Sequence, residues 1–326
     1  MKTYKNLFDK VCSYETLYNS YLKARRGKTK SARVLNFSYN LEQELSELQN
    51  ELKNQTFRTG KYNHFIIFEP KKRKISALPF RDRVVHHAIH FVIEPIFEKK
   101  FIYDSYACRK MKGTHAGADR LQKFIQKVNK DYYVLKCDVS KYFPSVNHEV
   151  LKKCIRKKIA DEKLLWLLDD IIDSTEEGIP IGNLTSQLFA NIYLNELDEF
   201  IKYDLKIKYY IRYMDDFIIL HESKKYLHGV KGKIKLLFVS IKLTMHPKKA
   251  NIFPVASGID FLGYRIFSKH RLVRKSTVKR FLKNIKVKIK KYNLEFVDFS
   301  KLMESFNSWN AYVSHANSYR LKKSLH

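Results

Sequence analysis

The sequence predicts an α+β fold centred on a ferredoxin-like, split βαβ sheet, and three observations carry that expectation. YYVLKCD (132–138) reads as a strand that ends in an acid. KYYIRY (208–213) and FIIL (217–220) are short apolar strands separated by Met214, Asp215 and Asp216, the pattern of a hairpin. The segments around them keep helical spacing, so that from Tyr132 the order is strand, helices, strand, strand, helix, strand.

The remaining elements follow from the N-terminus. Residues 23–33 (KARRGKTKSAR) hold six basic and no acidic side chains, a loop or arm suited to phosphate contact and equally to plain solvation. Phe37, Leu41, Leu45, Leu48 and Leu52 recur three and four apart, one apolar stripe of a helix. HFIIF (64–68) and residues 75–80 read as strands on either side of the basic turn KKRK. Over 81–97, Val84, Val85, Ala88, Ile89, Val92, Ile93, Ile96 and Phe97 are again helical, and Pro95 predicts a kink or stop. Asn147 can cap a helix carrying Val150, Leu151, Cys154 and Ile155. After the turn EEGIPIG, a second helix carries Leu184, Leu188, Ile192 and Leu197. A helix is expected near 224–240, then strands around 242–246 and 251–253 and through FLGYRIF (261–267). Residues 269–326 hold 15 Lys or Arg against three acids, with Val278, Leu282, Ile285 and Ile289 at helical spacing: a basic helical subdomain.

Length and composition bound the function. A chain of 326 residues with 44% hydrophobic content exceeds one ordinary core, so two or three subdomains are expected. Lys and Arg outnumber Asp and Glu by 63 to 33, a formal charge of +30. Such a charge makes the folded chain repel itself unless a polyanion neutralises it, which favours nucleic acid as partner. No signal peptide and no membrane-spanning run is legible, so a cytoplasmic protein without a membrane partner is expected. Cys12, Cys108, Cys137 and Cys154 lack CxxC spacing and read as reduced, mostly buried thiols, not a disulfide frame or a zinc site.

The acids carry the chemistry. Two carboxylates crowded at a hairpin tip raise each other's pKa unless a positive charge sits between them, and the flanks IRY and FIIL are too apolar for solvation to help. A divalent metal relieves that strain, although hairpin tips also favour Asp for its backbone hydrogen bonds. Asp138 shifts the balance: in a split βαβ sheet the first strand neighbours the central hairpin, which brings Asp138 beside Asp215. Three carboxylates in so basic a chain suggest two magnesium ions about 4 Å apart, clamping the attacking and leaving oxygens of a phosphoryl transfer.

At these residues a resemblance becomes visible. KCDVSKYFPSVNHEVL resembles the first catalytic motif of reverse transcriptases, RYMDDFIIL their YxDD motif, and FLGYRI the segment that grips the primer. KISALPFRDRVVHHAIHFVIEPIFEKKFIYDSYACRKMKGTHAGADRL is similar to the fingers of the bacterial, group II intron-like branch. The ordered set spans about 73–264. It implies a right-hand polymerase fold with an N-terminal basic arm and fingers (1–130), a ferredoxin-like palm (131–268, with a fingers return near 160–183) and a short basic helical thumb (269–326). Where group II intron enzymes carry QGxxxSP, this chain has IGNLTSQ (181–187), similar to the reverse transcriptases of diversity-generating retroelements. Those enzymes copy a template RNA into cDNA, misincorporate opposite adenines, and work with a small basic accessory variability protein, oligomeric in that family.

The resemblance also implies roles residue by residue. Asp138 and Asp215 match the direct ligands of two Mg²⁺ ions, for which Mn²⁺ can substitute, with the Val139 carbonyl assisting. Asp216 matches the second acid of YxDD, with a more electrostatic role. Phe143 matches the aromatic gate against a ribose 2′-hydroxyl, and Arg73 and Lys71 the fingers cations that hold the dNTP triphosphate. Ile181 and Gly182 should lie against the incoming base pair, where an apolar side chain in place of an amide offers a route to low fidelity. Gln187 marks the subfamily, and Lys249 is a candidate general acid for pyrophosphate. Arg25, Arg26, Lys28, Lys30, Gly263, Tyr264, Lys279 and Lys283 are the expected contacts to template RNA and to primer or cDNA. The sequence departs from the family at SYACRKMKGTHA, where SYGFRPGRSAHDA is more usual, so Cys108 and Met111 alter that template-strand loop. Two other readings stand beside this one: a group II intron-like, CRISPR-associated or defence reverse transcriptase, and a non-catalytic RNA-binding chaperone on a polymerase fold. The intact acid set argues against the chaperone.

Overall fold

The computed structural model describes residues 2–68 and 71–323 and divides the chain into two compact units. The first comprises Met1–Tyr103, Asp138–Lys206 and Lys233–Pro247; the second comprises Asp104–Cys137, Ile207–Gly232 and Lys248–His326.

The first unit is mainly helical. Helices Tyr14–Ala24, Phe80–Glu98 and Leu184–Glu199 supply its buried apolar faces, and Tyr21, Phe37 and Phe80 form an aromatic cluster with ring centroids 5.1–6.2 Å apart. The stripe from Phe37 to Leu52 is buried as expected, but on two helices, Ala32–Tyr39 and Leu41–Lys53. Asn40, at φ −109° and ψ 39°, breaks the helical path between them. Pro95 lies inside helix Phe80–Glu98, which ends three residues later; its missing N–H removes the hydrogen bond to the carbonyl one turn earlier. Asn147 caps helix His148–Arg156, its Oδ1 accepting from the Val150 amide at 3.2 Å.

Strands β1 (Asn63–Ile67) and β2 (Arg73–Ala77) form an antiparallel hairpin in which Ile67 pairs with Arg73. The strand expected over 75–80 therefore begins and ends earlier, because Pro79 caps the following helix and Phe80 already belongs to it.

The second unit carries the central sheet. Its strands are β3 (Tyr133–Asp138, the last residue of which falls in the first unit), β4 (Tyr210–Tyr213), β5 (Asp216–His221) and β6 (Asn251–Pro254), in the order β4-β5-β3-β6. That order is the one a split βαβ unit produces. β3 pairs antiparallel with β6, Lys136 opposite Asn251, and β4 pairs antiparallel with β5. Val134, Ile211, Ile218 and Leu220 from this sheet pack with Leu121 and Phe124 of helix Thr114–Lys127 and with Ile259, Phe261 and Tyr264.

Two strand expectations are corrected. Residues 242–246 form no continuous strand: Lys242 is left-handed (φ +54°) and the Leu243 amide donates to Phe238 O at 2.7 Å, closing helix Lys224–Ser240, while Thr244–His246 keep only an isolated antiparallel bridge, Met245 opposite Val139. Residues 261–267 are not one strand but the ends of two, β7 (Ile259–Phe261) and β8 (Tyr264–Ile266), joined by Leu262 and Gly263 at φ +50° and +88°. Two successive positive φ values make the tight turn whose twist suits a hairpin. β9 (Arg271–Val273) completes this three-stranded sheet. Helices Lys275–Asn293 and Phe299–Ser314 follow, joined through Phe281 stacked on Trp309 at 4.1 Å. Among the described residues, no helix is long and apolar enough to cross a membrane.

Candidate active site

Asp215 stands at the tip of the β4–β5 hairpin. Tyr213 and Asp216 form the last pair of the ladder, leaving Met214 and Asp215 as a two-residue turn. Met214 is left-handed at φ +54°, a conformation that costs a side-chain-bearing residue about 1–2 kcal/mol. Beneath it Arg212 is fully buried, and its Nη1 donates to the Met214 carbonyl at 3.0 Å. The Arg212 backbone is anchored as well: its amide donates to Asp104 O and its carbonyl accepts from the Tyr106 amide, both at 2.9 Å. A strained turn held by a buried cation is a feature the surrounding structure must impose.

Asp216, the first residue of β5, forms an ion pair with Lys136 Nζ at 3.2 Å. The same ammonium donates a short hydrogen bond to the carbonyl of Asp260 on β7. Asp138 is the last residue of β3, and its carbonyl accepts from the His246 amide at 2.8 Å. Val139 is buried and bridges Met245. Among the described residues, no group of three or more His, Cys, Asp or Glu is gathered as a metal cage. The donors offered by Asp138 and Asp215 are carboxylate oxygens, the chemistry that suits magnesium with open positions for water and phosphate.

In the first unit, a second cluster of expected site residues is tied together. The Ile179 amide donates to Phe143 O and the Ser76 amide donates to Ile181 O, each at 2.9 Å. The turn 178–183 is thus fastened to Phe143 at one end and to β2, which begins at Arg73, at the other. Gly182, at φ +133°, leaves no room for a side chain, since a Cβ would lie 2.7 Å from Ser76 O. Asn183 donates to Tyr62 Oη at 3.1 Å, which in turn meets Ser174 Oγ at 2.8 Å. Ile181 is half-buried, Arg73 and Lys71 are exposed, and Gln187 is exposed on helix Leu184–Glu199. Behind the turn, Thr185 Oγ1 meets Nδ1 of the fully buried His86 at 2.8 Å. Burial pushes the His86 imidazole down to about 3.

The sequence model of the family described as reverse transcriptase (RNA-dependent DNA polymerase) matches residues 59–266, nearly two thirds of the chain and all three acids. The chain belongs to the reverse transcriptase family. Similar proteins include protein YkfC of Escherichia coli (strain K12), 28% identical over 244 residues that cover 61% of this chain and 64% of that protein. The group II intron-encoded protein LtrA of Lactococcus lactis subsp. cremoris is 23% identical over 315 residues, covering 73% of this chain and 51% of its own length. The retron Ec73 reverse transcriptase of Escherichia coli is 27% identical over 197 residues, 54% of this chain and 58% of that enzyme. This chain spans between half and two thirds of the length of these relatives. Among solved structures, apo telomerase from Candida tropicalis, truncated from its C-terminal domain, superposes with a TM-score of 0.50 at 16% identity, covering 67% of this chain and 55% of that one. That likeness shows a shared fold, the α+β, right-hand polymerase fold that the motifs predict.

The expected nucleic-acid contacts are spread over both units. Arg26, Lys28 and Lys30 are exposed on the loop after helix Tyr14–Ala24, whereas Arg25 folds back, donating to Tyr21 Oη at 2.8 Å. Lys279 and Lys283 are exposed on helix Lys275–Asn293. Tyr264 differs from expectation: its ring is fully buried, stacks on Tyr312 at 4.9 Å, and its hydroxyl donates to Tyr312 O at 2.9 Å. Lys249 is half-buried in the turn before β6.

Sequence reading passed over Lys136 and Arg212. Both are charged residues inside otherwise apolar strands, YVLKCD and YYIRY. A charge in such a place is rarely tolerated without a partner, and that was the available signal. Ser76 gave none, because it acts through its backbone amide.

Proposed function

We propose that this chain is an RNA-directed DNA polymerase in which Asp138 and Asp215 hold divalent magnesium at the primer 3′ end. The observation that carries the reading is the strand order β4-β5-β3-β6, in which the strand ending at Asp138 neighbours the strand that follows Asp215. Alternation along β3 also gives Asp138 the same face as Lys136, the residue that meets Asp216. Asp216, balanced by an ammonium, acts on the field of the site without serving as a principal ligand. Asp138 and Asp215 would hold the divalent ions, which would supply Lewis-acid polarisation for the nucleotidyl transfer.

The chain's own groups do the rest. Arg73 and Lys71 bind the triphosphate, and Phe143 excludes a ribose 2′-hydroxyl. Ile181 and Gly182 border the nascent pair, and Lys249 serves as the general acid for pyrophosphate. Residues 1–130 serve as arm and fingers, 131–268 as palm and 269–326 as thumb, with the exposed cations of arm and thumb on template RNA and on primer or cDNA.

The turn sequence IGNLTSQ supports a narrower reading: error-prone copying opposite template adenines for a diversity-generating retroelement, with a small basic accessory protein as partner. An apolar Ile181 offers no amide to sense nucleotide geometry, which fits low fidelity.

The test is primer extension by purified protein on primed RNA with dNTPs and magnesium. Asp215→Asn should abolish extension and leave RNA affinity nearly unchanged; full activity in that variant refutes the assignment. Sequencing the cDNA tests the narrower reading, which requires errors concentrated opposite adenine.

A further inference from the structure

Asp215 and Asp216 are adjacent in sequence, one in the turn and one in the strand that follows it. Asp215 belongs to the strained turn, while Asp216 opens β5 and turns onto Lys136 of the neighbouring strand at 3.2 Å. The Lys136 ammonium also donates to the carbonyl of Asp260, two residues before the Leu262–Gly263 turn expected to grip the primer. One side chain therefore joins three pieces of the second unit: β3, the second acid of the hairpin, and β7. An ammonium suits this place, having three donors and no acceptor, so it serves a carboxylate and a carbonyl at once.

We propose that Lys136 is a positioning residue of the polymerase, holding Asp216 as a charge-balanced strut and tying the acid-bearing hairpin to the primer-gripping turn. This rests on the polymerase reading above. A cation beside one acid of the pair has two effects. It removes the like-charge repulsion that would otherwise push Asp215 and Asp216 apart, and it prevents Asp216 from drawing in a metal of its own. The register between the acids and the primer terminus then does not depend on how many ions are bound.

The experiment compares wild type, Lys136→Met and Lys136→Arg in primer extension, titrating dNTP and, separately, magnesium. Lys136→Met should lower kcat on the order of 30-fold with the dNTP KM within about threefold. The freed Asp216 charge should also lower the magnesium concentration for half-maximal rate by about threefold or more. Lys136→Arg, which keeps the charge and the donors, should recover most of kcat. A loss of mere packing would leave the magnesium dependence unmoved, and that result, or wild-type kcat in Lys136→Met, overturns the proposal.

A double-mutant cycle covers the case in which Lys136→Met is poorly folded. If Lys136 works through Asp216, Lys136→Met added to Asp216→Asn should cost little beyond Asp216→Asn alone, and fully additive losses overturn it. Asp215→Asn, run alongside, separates the outcomes: residual activity there refutes the polymerase site itself, whatever Lys136 does.

Discussion

The amide of Ser76 donates to the carbonyl of Ile181 at 2.9 Å, so the strand that presents Arg73 and the turn that presents Gly182 are parts of one hydrogen-bonded piece. Gly182 makes that closeness achievable. At φ +133°, with a would-be Cβ 2.7 Å from Ser76 O, any side chain must push β2 away. Gly182→Ala should therefore raise the dNTP KM about tenfold, with a smaller effect on kcat, because Arg73, proposed to bind the triphosphate, moves together with β2. Steady-state extension across a dNTP titration checks this. An unchanged KM would detach the turn from nucleotide binding.

Ile181 tests the same turn from the other side. Its carbonyl is committed to Ser76, but its half-buried side chain is free to differ. If Ile181 borders the incoming nucleotide as proposed, Ile181→Gln supplies an amide there and should lower misincorporation opposite template adenine several-fold. Sequencing of cDNA from both proteins measures it; identical error spectra remove Ile181 from the account of fidelity.

Arg212 is an energetic commitment beneath the hairpin. Its Nη1 donates to the carbonyl of the left-handed Met214, and its side chain is fully buried. Arg212→Met takes that donor away and leaves a polar carbonyl at the turn to find water. A loss of about 1.5–3 kcal/mol in urea unfolding is expected, in line with removing a hydrogen bond from a charged donor. Because Met214 and Asp215 share the turn, extension should fall even where the variant is folded. Unchanged stability would mean that the turn holds itself.

What the sequence made legible, and what it hid, divides along physical lines. Asp138 closing an apolar strand, Asp215 and Asp216 between two others, and Asn147 heading a helix were readable because strand burial and capping are local. The sheet order followed from element order alone. The misread segments were those in which backbone hydrogen bonds overrode propensity. Residues 242–246 look extended, but Leu243 is consumed in closing a helix end, and Leu262 takes φ +50° so that Gly263 can complete a turn. Lys136 and Arg212 were visible as anomalies, and their partners, Asp216, Asp260 O and Met214 O, became nameable only in three dimensions.

Two histidines on helix Phe80–Glu98 set a pH dependence. Burial holds His86 down to about 3, and burial together with His90, Lys23 and Lys28 holds His87 down to about 4. In the unfolded chain both imidazoles take a proton near 6.5. Between those values the unfolded state binds more protons, so stability rises with pH. The contribution is complete above about pH 6.5 and is lost as pH falls toward 4. Urea midpoints should drop steeply from pH 7 to 4.5, and His86→Asn, which keeps a partner for Thr185 without titrating, should flatten that drop. An equal slope in the variant would place the proton uptake elsewhere.

The exposed lysines of helix Lys275–Asn293 make the electrostatic claim measurable. Lys279 and Lys283 are one turn apart, and both are exposed. If each neutralises a phosphate of a single strand, each releases counterions worth about 0.7 in the slope of log K against log salt. Lys279→Ala with Lys283→Ala should then weaken RNA binding at low salt and make the slope shallower by about 1.4, with the two variants converging as salt rises. Fluorescence anisotropy on a labelled RNA from 50 to about 300 mM salt reads both quantities. Parallel lines, with affinity lost equally at every salt, would show that these lysines shape the helix without touching phosphate, and the +30 charge of the chain would then have to be spent on some other face.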